Sequence, residues 1–150
     1  MIHEIIDGIS VSLGEIFPDS EIYARGAEQG FRPRSFSITL VESPWETLRD
    51  EAISGNRRFN CDTSWCVYYF PEDPQDQIEI ADTIDKMNLA LTCIPCSDDS
   101  ILFGRDMSAK VEDGALCYFV KYQFTAVQRP DSELMKTLKQ KFRQRRLNNG

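Results

Sequence analysis

The chain has 150 residues, with 24 Asp and Glu against 17 Lys and Arg, and a formal net charge of −7. Its 41% hydrophobic and 27% charged content is that of an ordinary soluble domain, and a single domain of this length buries about 70% of its unfolded surface. No apolar run approaches the ~18 residues of a membrane span, and the opening MIHEIIDGIS carries acids where a signal peptide carries bases, which speaks against secretion and membrane insertion.

Ile2, Ile5, Ile6, Ile9, Leu13 and Ile16 recur at helical spacing and predict an amphipathic first helix. Phe17-Pro18-Asp19 ends it, because the residue before a proline is pushed out of the helical region. Glu21–Arg25 reads as a short strand, followed by a loop through Gly26, Gly30 and Pro33. Ser35–Val41 alternates Phe36, Ile38 and Leu40 with Ser35, Ser37 and Thr39, the period of a half-buried strand. The stretch from Glu42 to Asn56, with Pro44, Gly55 and four acids, reads as a long loop. A longer strand is expected from Arg57 to Phe70, with Phe59, Cys61, Thr63, Trp65, Val67 and Tyr69 on one face.

Asp73 is the expected N-cap of a second helix, with Pro74 in its first turn and Asp76 and Glu79 complementing the dipole. Ile80, Ile84, Met87 and Leu91 form its buried stripe, and the helix should end before Cys93. Asp113-Gly114 is a type I′ hairpin signal. Pairing outward from it sets Val111 opposite Leu116, Ala109 opposite Tyr118, Met107 opposite Val120 and Phe103 opposite Phe124. On the other face Asp106 meets Lys121.

Beyond Arg129-Pro130, Asp131 or Ser132 can cap a third helix with Leu134, Leu138 and Phe142 as a narrow apolar stripe beside Met135. Residues 130–150 hold six basic side chains (Lys136, Lys139, Lys141, Arg143, Arg145 and Arg146) against two acidic ones. That segment is therefore +4, and residues 1–129 are −11. It reads as a phosphate-binding face, as a partner helix docking through Leu134, Leu138, Phe142 and Arg143, or as a solvated tail. The whole pattern predicts an α+β fold, a mainly antiparallel sheet covered on one face by helices. Residues 1–129 form one domain and residues 130–150 a basic helix or tail.

Catalytic and metal chemistry find little support in the pattern. His3 is the single histidine, and one ring makes no site. Cys93-x-x-Cys96 has redox or half-zinc spacing, but it follows a helix where a reactive pair opens one, and Pro95 lies between the thiols. Cys61 and Cys66 stand five apart on one strand and so face opposite ways. An odd number of cysteines fits a reducing compartment. No carboxylate pair, phosphate-cradling glycine loop or dinucleotide fingerprint is present, so the expectation is a non-enzyme without cofactor or metal.

Several segments in order carry a resemblance. They are Ile5-Ile6, Ile9 and the Phe17-Pro18 exit, Ile22-Tyr23, Glu28-Gln29-Gly30-Phe31 with Pro33, and Phe36, Ile38 and Leu40. Arg57-Arg58, Tyr69-Phe70-Pro71, Ile80 and Ile84 follow, then Arg105, Met107, Val111, Asp113-Gly114, Leu116, Phe119, Tyr122 and Phe124. Over about residues 1–128 the chain resembles the tail-terminator (tail-completion) family of tailed bacteriophages and phage-tail-like particles of Gram-positive bacteria. The resemblance implies a small non-enzymatic α+β subunit that assembles as a ring, a hexamer, on the last ring of the tail tube. There it ends tube polymerisation and presents a surface to head or neck proteins, and in contractile tails to the sheath. It implies location in the virion tail, with assembly in the host cytoplasm.

On that footing Arg25, Arg32 and Arg34 are candidates to pair with acids of a neighbouring copy. Trp45 and Leu48 are candidates for a contact that orders on assembly, with Arg57 and Arg58 beside them, and the hairpin edge can pair across a subunit boundary. The competing functions are a head-closure or neck connector and a nucleic-acid adaptor acting through the basic C-terminal segment. The −11 body opposes the second, and the expected role of nucleic acid is DNA passing through a lumen.

Overall fold

The computed structural model describes residues 2–24, 32–48, 57–96 and 99–128. Arg25, the Glu28–Phe31 motif and the third helix with Leu134, Leu138, Phe142 and Arg143 lie outside these residues. The elements in chain order are α1 (Ile2–Ile16), β1 (Ile22–Tyr23), β2 (Ser35–Glu42), β3 (Trp45–Thr47), β4 (Arg57–Phe70), α2 (Gln77–Leu91), β5 (Cys93–Pro95), β6 (Ile101–Phe103), β7 (Arg105–Glu112) and β8 (Ala115–Gln128). The fold is α+β, as the sequence predicts.

The chain divides into two compact units, and β4 runs through both. The first unit holds the described residues up to Pro44 and those from Asp62 to Phe124. Its sheet has the order β1-β2-β4-β8-β7. β1 joins β2 in parallel, whereas β2–β4 and β7–β8 are antiparallel. Ile5, Ile9 and Leu13 of α1 are fully buried, as are Met87 and Leu91 of α2 and Phe36, Trp65, Val67, Leu116, Tyr118, Val120 and Tyr122 of the sheet, to within 1%.

Polar atoms inside this core are matched. Trp65 Nε1 donates to Thr63 Oγ1 (2.8 Å), and the Thr63 hydroxyl donates to the Tyr122 carbonyl (2.7 Å). The Tyr122 hydroxyl reaches the Leu91 carbonyl at the end of α2 (2.6 Å), the Tyr69 hydroxyl reaches Glu79 (3.0 Å), and the Tyr118 hydroxyl reaches Asn88. These tyrosines fix helix α2 over the sheet by their polar tips while burying their rings.

In the second unit β3 pairs antiparallel with the start of β4, setting Trp45 opposite Cys61 and Thr47 opposite Phe59. This strand corrects the expectation of a long loop from Glu42 to Asn56. Three residues are too few to show a period, and the strand is made by the partner it meets across the diagonal, Trp45 on Phe59 at 5.0 Å between ring centroids.

Further expectations are corrected. Helix α2 starts at Gln77, and its cap is Asp76, whose Oδ1 accepts from the Ile78 and Glu79 amides (3.1 and 3.2 Å). Asp73 is used one turn earlier, accepting from the Gln75 amide while its carbonyl accepts from Asp76, so Pro74 lies in a turn outside the helix. Ile80, Met87 and Leu91 are buried as expected, together with Thr83 and Ala90, and Ile84 is only half-buried.

The hairpin keeps its predicted register from the turn to Ser108, with Val111 opposite Leu116 and Ala109 opposite Tyr118. Asp113 and Gly114 have the positive φ (50° and 78°) that their turn requires. Asp106 also has φ 50°, and the register shifts there, so Arg105 and not Asp106 stands opposite Lys121. One extra residue in the left-handed region makes a bulge, and Asp is among the residues that tolerate it. The Lys121–Asp106 ion pair nevertheless forms at 3.7 Å.

Below the bulge, Phe103 pairs with Cys93 in a second, two-stranded sheet, β5–β6, and not with Phe124. Gly104 is the pivot. A Cβ there would stand 2.6 Å from the Leu91 carbonyl oxygen, and its amide donates to the Thr92 carbonyl (2.8 Å).

Candidate assembly surfaces

The clearest unsatisfied feature of the first unit is the strand at the end of its sheet. β7 pairs with β8 on one side and, among the described residues, no strand pairs on the other. All of it is exposed except half-buried Met107. A two-residue turn makes Glu112 and Ala115 the pair that exchanges hydrogen bonds. Alternation then turns the amides of Ala109 and Val111 outward. β7 therefore presents backbone donors and acceptors at strand spacing, the template for adding another strand. The opposite edge, β1, is two residues long and offers little.

Two arginine candidates of the first unit, Arg32 and Arg34, are paired within the chain. Arg32 lies 3.1 Å from Glu21, and Arg34, with φ 62°, lies 2.7 Å from Glu72. Both guanidinium groups are exposed, so each ion pair is weakly held and open to exchange. In the second unit the β3–β4 ladder joins Leu48 to Arg58 and sets Trp45 and Arg57 toward its two ends. Trp45 is 54% exposed, half-buried Leu48 donates its amide to the Arg58 carbonyl (2.8 Å), and Arg57 and Arg58 are exposed at the start of β4.

One apolar face escaped the sequence reading. In the β5–β6 hairpin, Ile94 is fully buried and Leu102 half-buried, while Cys93, Pro95, Ile101 and Phe103 point away from them and are exposed, Phe103 by 68%. Both faces of each strand are apolar, so alternation gives no sign of which is inside.

The thiols separate by environment. Cys61, Cys66 and Cys117 are buried, Cys96 is half-buried and Cys93 exposed. Burial pushes the Cys66 thiol up to about 11 and raises that of Cys117, which keeps both protonated and unreactive near neutrality. Among the described residues no group of three or more His, Cys, Asp or Glu is placed to hold a metal ion. No helix among them is long and apolar enough to cross a membrane.

The family model of the phage tail terminator protein matches residues 4–135. No curated protein sequence matches the chain. Among solved structures, a chain of the virion of native gene transfer agent (GTA) particle has a similar fold, with a TM-score of 0.50. It is 10% identical, and the alignment covers 81% of this chain and 93% of that one, a likeness of fold alone.

Proposed function

The chain belongs to the phage tail terminator protein family, a structural component of phage tails and not a class of enzyme, and from that premise we propose that it forms a ring that caps the tail tube. The ring is a hexamer of this chain. It covers the growing edge of the tube, denies it to the next tube subunit, and gives the head or neck proteins a surface on which to dock. In a contractile tail the same ring meets the end of the sheath. The subunit acts in the virion tail and is assembled in the bacterial host cytoplasm.

The observation that carries this reading is the open β7 edge. A strand with one unsatisfied flank gains hydrogen bonds when a neighbouring copy or a tube subunit adds a strand to it, with no rearrangement of the hairpin. Arg32 and Arg34 exchange Glu21 and Glu72 for acids across the subunit boundary, and Trp45, Leu48, Arg57 and Arg58 contribute a second contact, to the tube.

Ala109→Pro tests the edge directly. Proline removes the outward amide and leaves the hairpin's own bonds in place, and edge strands tolerate it when that amide faces solvent. The variant is expected to keep its circular dichroism spectrum while particles made with it carry tails of uncontrolled length in electron micrographs. Tails of normal length closed by rings of the variant would sink the proposal.

A further inference from the structure

Helix α1 leaves one stripe outside the core. Glu4, Asp7, Val11 and Glu15 follow one another at helical spacing, and the helix carries no Lys or Arg. Strand β5 lies against the same helix so closely that a Cβ on Gly8 would stand 2.4 Å from the Pro95 carbonyl oxygen. Between helix and strand is an open groove of about 220 Å³, lined by Gly8, Val11, Pro95 and Cys96 together with the acidic Glu4 and Asp7. Its apolar side is accessible, since Val11 is 51% exposed. What fits such a groove is an apolar side chain flanked by cationic ones.

The sequence contains that combination. Residues 130–150 carry Leu134, Leu138 and Phe142 at four-residue intervals, among six basic side chains and two acidic ones. Acidic groove and basic segment on one chain are the two halves of a head-to-tail contact, and such a contact repeated by rotation closes a ring. We propose that the groove between α1 and β5 receives the 130–150 segment of the neighbouring copy, an inference that rests on the ring reading. The apolar stripe seats over Val11 and Pro95, and the flanking Lys and Arg face Glu4 and Asp7. Each subunit is thereby tied to the next by a strap separate from the β7 edge.

Cys96 reports on the groove from inside it. In a Cys93→Ser background it is the remaining cysteine of the described residues that is not buried. Adding Met135→Cys beside the apolar stripe gives each full-length chain one thiol in the groove and one in the segment. Mild oxidation on tail tubes should then give a ladder of disulfide-linked dimers, trimers and higher species on non-reducing gels. Glu4→Lys with Asp7→Lys should reduce the ladder about tenfold, the effect of replacing attraction by repulsion at two exposed sites, and added salt should weaken it. Val11→Glu should reduce it through the groove floor, leaving the first turn of α1 untouched. Lys136→Glu with Lys139→Glu should restore the ladder in the charge-reversed chain.

A disulfide confined to single chains, or a ladder indifferent to these charges, would overturn the inference. Rings on tubes without any ladder would overturn it while leaving the capping role intact. Tubes that never acquire rings would remove the capping role and this strap together.

Discussion

Thr63 shows how much one hydroxyl can hold. Its Oγ1 accepts from Trp65 Nε1 and donates to the Tyr122 carbonyl, and all three residues are buried. Thr63→Val preserves the shape and strands both partners, an indole N–H and a carbonyl on neighbouring strands. Leaving a buried polar group without its partner costs about 1–3 kcal/mol, so a loss of about 2–4 kcal/mol is expected in urea unfolding with an unchanged m-value. Thr63→Ser, which keeps the hydroxyl, should lose far less. Equal losses in the two variants would mean that packing of the methyl, and not the hydrogen bonds, sets the cost. The alternating pattern of β4 put Thr63 on the inner face but could not say why a polar residue belongs there. Its role depends on Tyr122, 59 residues away, and is visible only once the strands are paired.

At the scale of elements, the start of α2 separates two aspartates that local rules treat alike. Asp76 accepts from two free amides of the first turn, whereas Asp73 accepts from one amide of the preceding turn. Asp76→Ala should therefore cost about 1 kcal/mol, the usual loss of an N-cap, and Asp73→Ala clearly less. Thermal melts of the two variants check the order, and the reverse ranking would return the cap to Asp73. The same distinction marks what the sequence could reveal. Long elements with a period (α1, β2, β4 and α2) and the Asp113-Gly114 turn were legible because their signals are local. β3, the Asp106 bulge and the turn of Phe103 into the β5–β6 sheet were not. Each involves a partner distant in sequence: Phe59 for Trp45, Lys121 for Asp106, and the Leu91 carbonyl for Gly104. The contact candidates divide likewise. Leu48 meets Arg58, and Trp45 meets Phe59, only because β3 exists, and the exposed Phe103 face has no polar residue to mark its outer side.

In the larger unit, several buried groups can ionise only at a cost, which links its stability to pH as a whole. Burial pushes Cys66 up to about 11 from 9.0, Tyr118 to about 12 from 10.0, and, with the Glu79 hydrogen bond, Tyr69 to about 12. Burial raises Tyr122 as well. Each folded-state value lies above the unfolded one, so the folded state holds its protons where the unfolded chain has released them. The stabilisation is complete below pH 9.0, the ordinary value for a thiol, and is lost as pH rises through the folded values. Stability should accordingly be level between neutrality and the onset of thiol ionisation and then fall steadily through pH 11, first from the buried thiols Cys66 and Cys117 and then from the tyrosines. Because Tyr69, Tyr118 and Tyr122 anchor α2 to the sheet by their hydroxyl hydrogens, their ionisation removes the bonds that hold the helix layer in place. Alkaline titration should therefore show tyrosinate absorbance for these residues rising together with the loss of helical circular dichroism, in one cooperative step. Replacing both Cys66 and Cys117 by Ala should remove the early part of the decline and leave the later part. Tyrosinate that accumulates fully while the helical signal stays constant would show that these hydroxyls ionise in the folded protein, and that α2 is held by apolar packing alone.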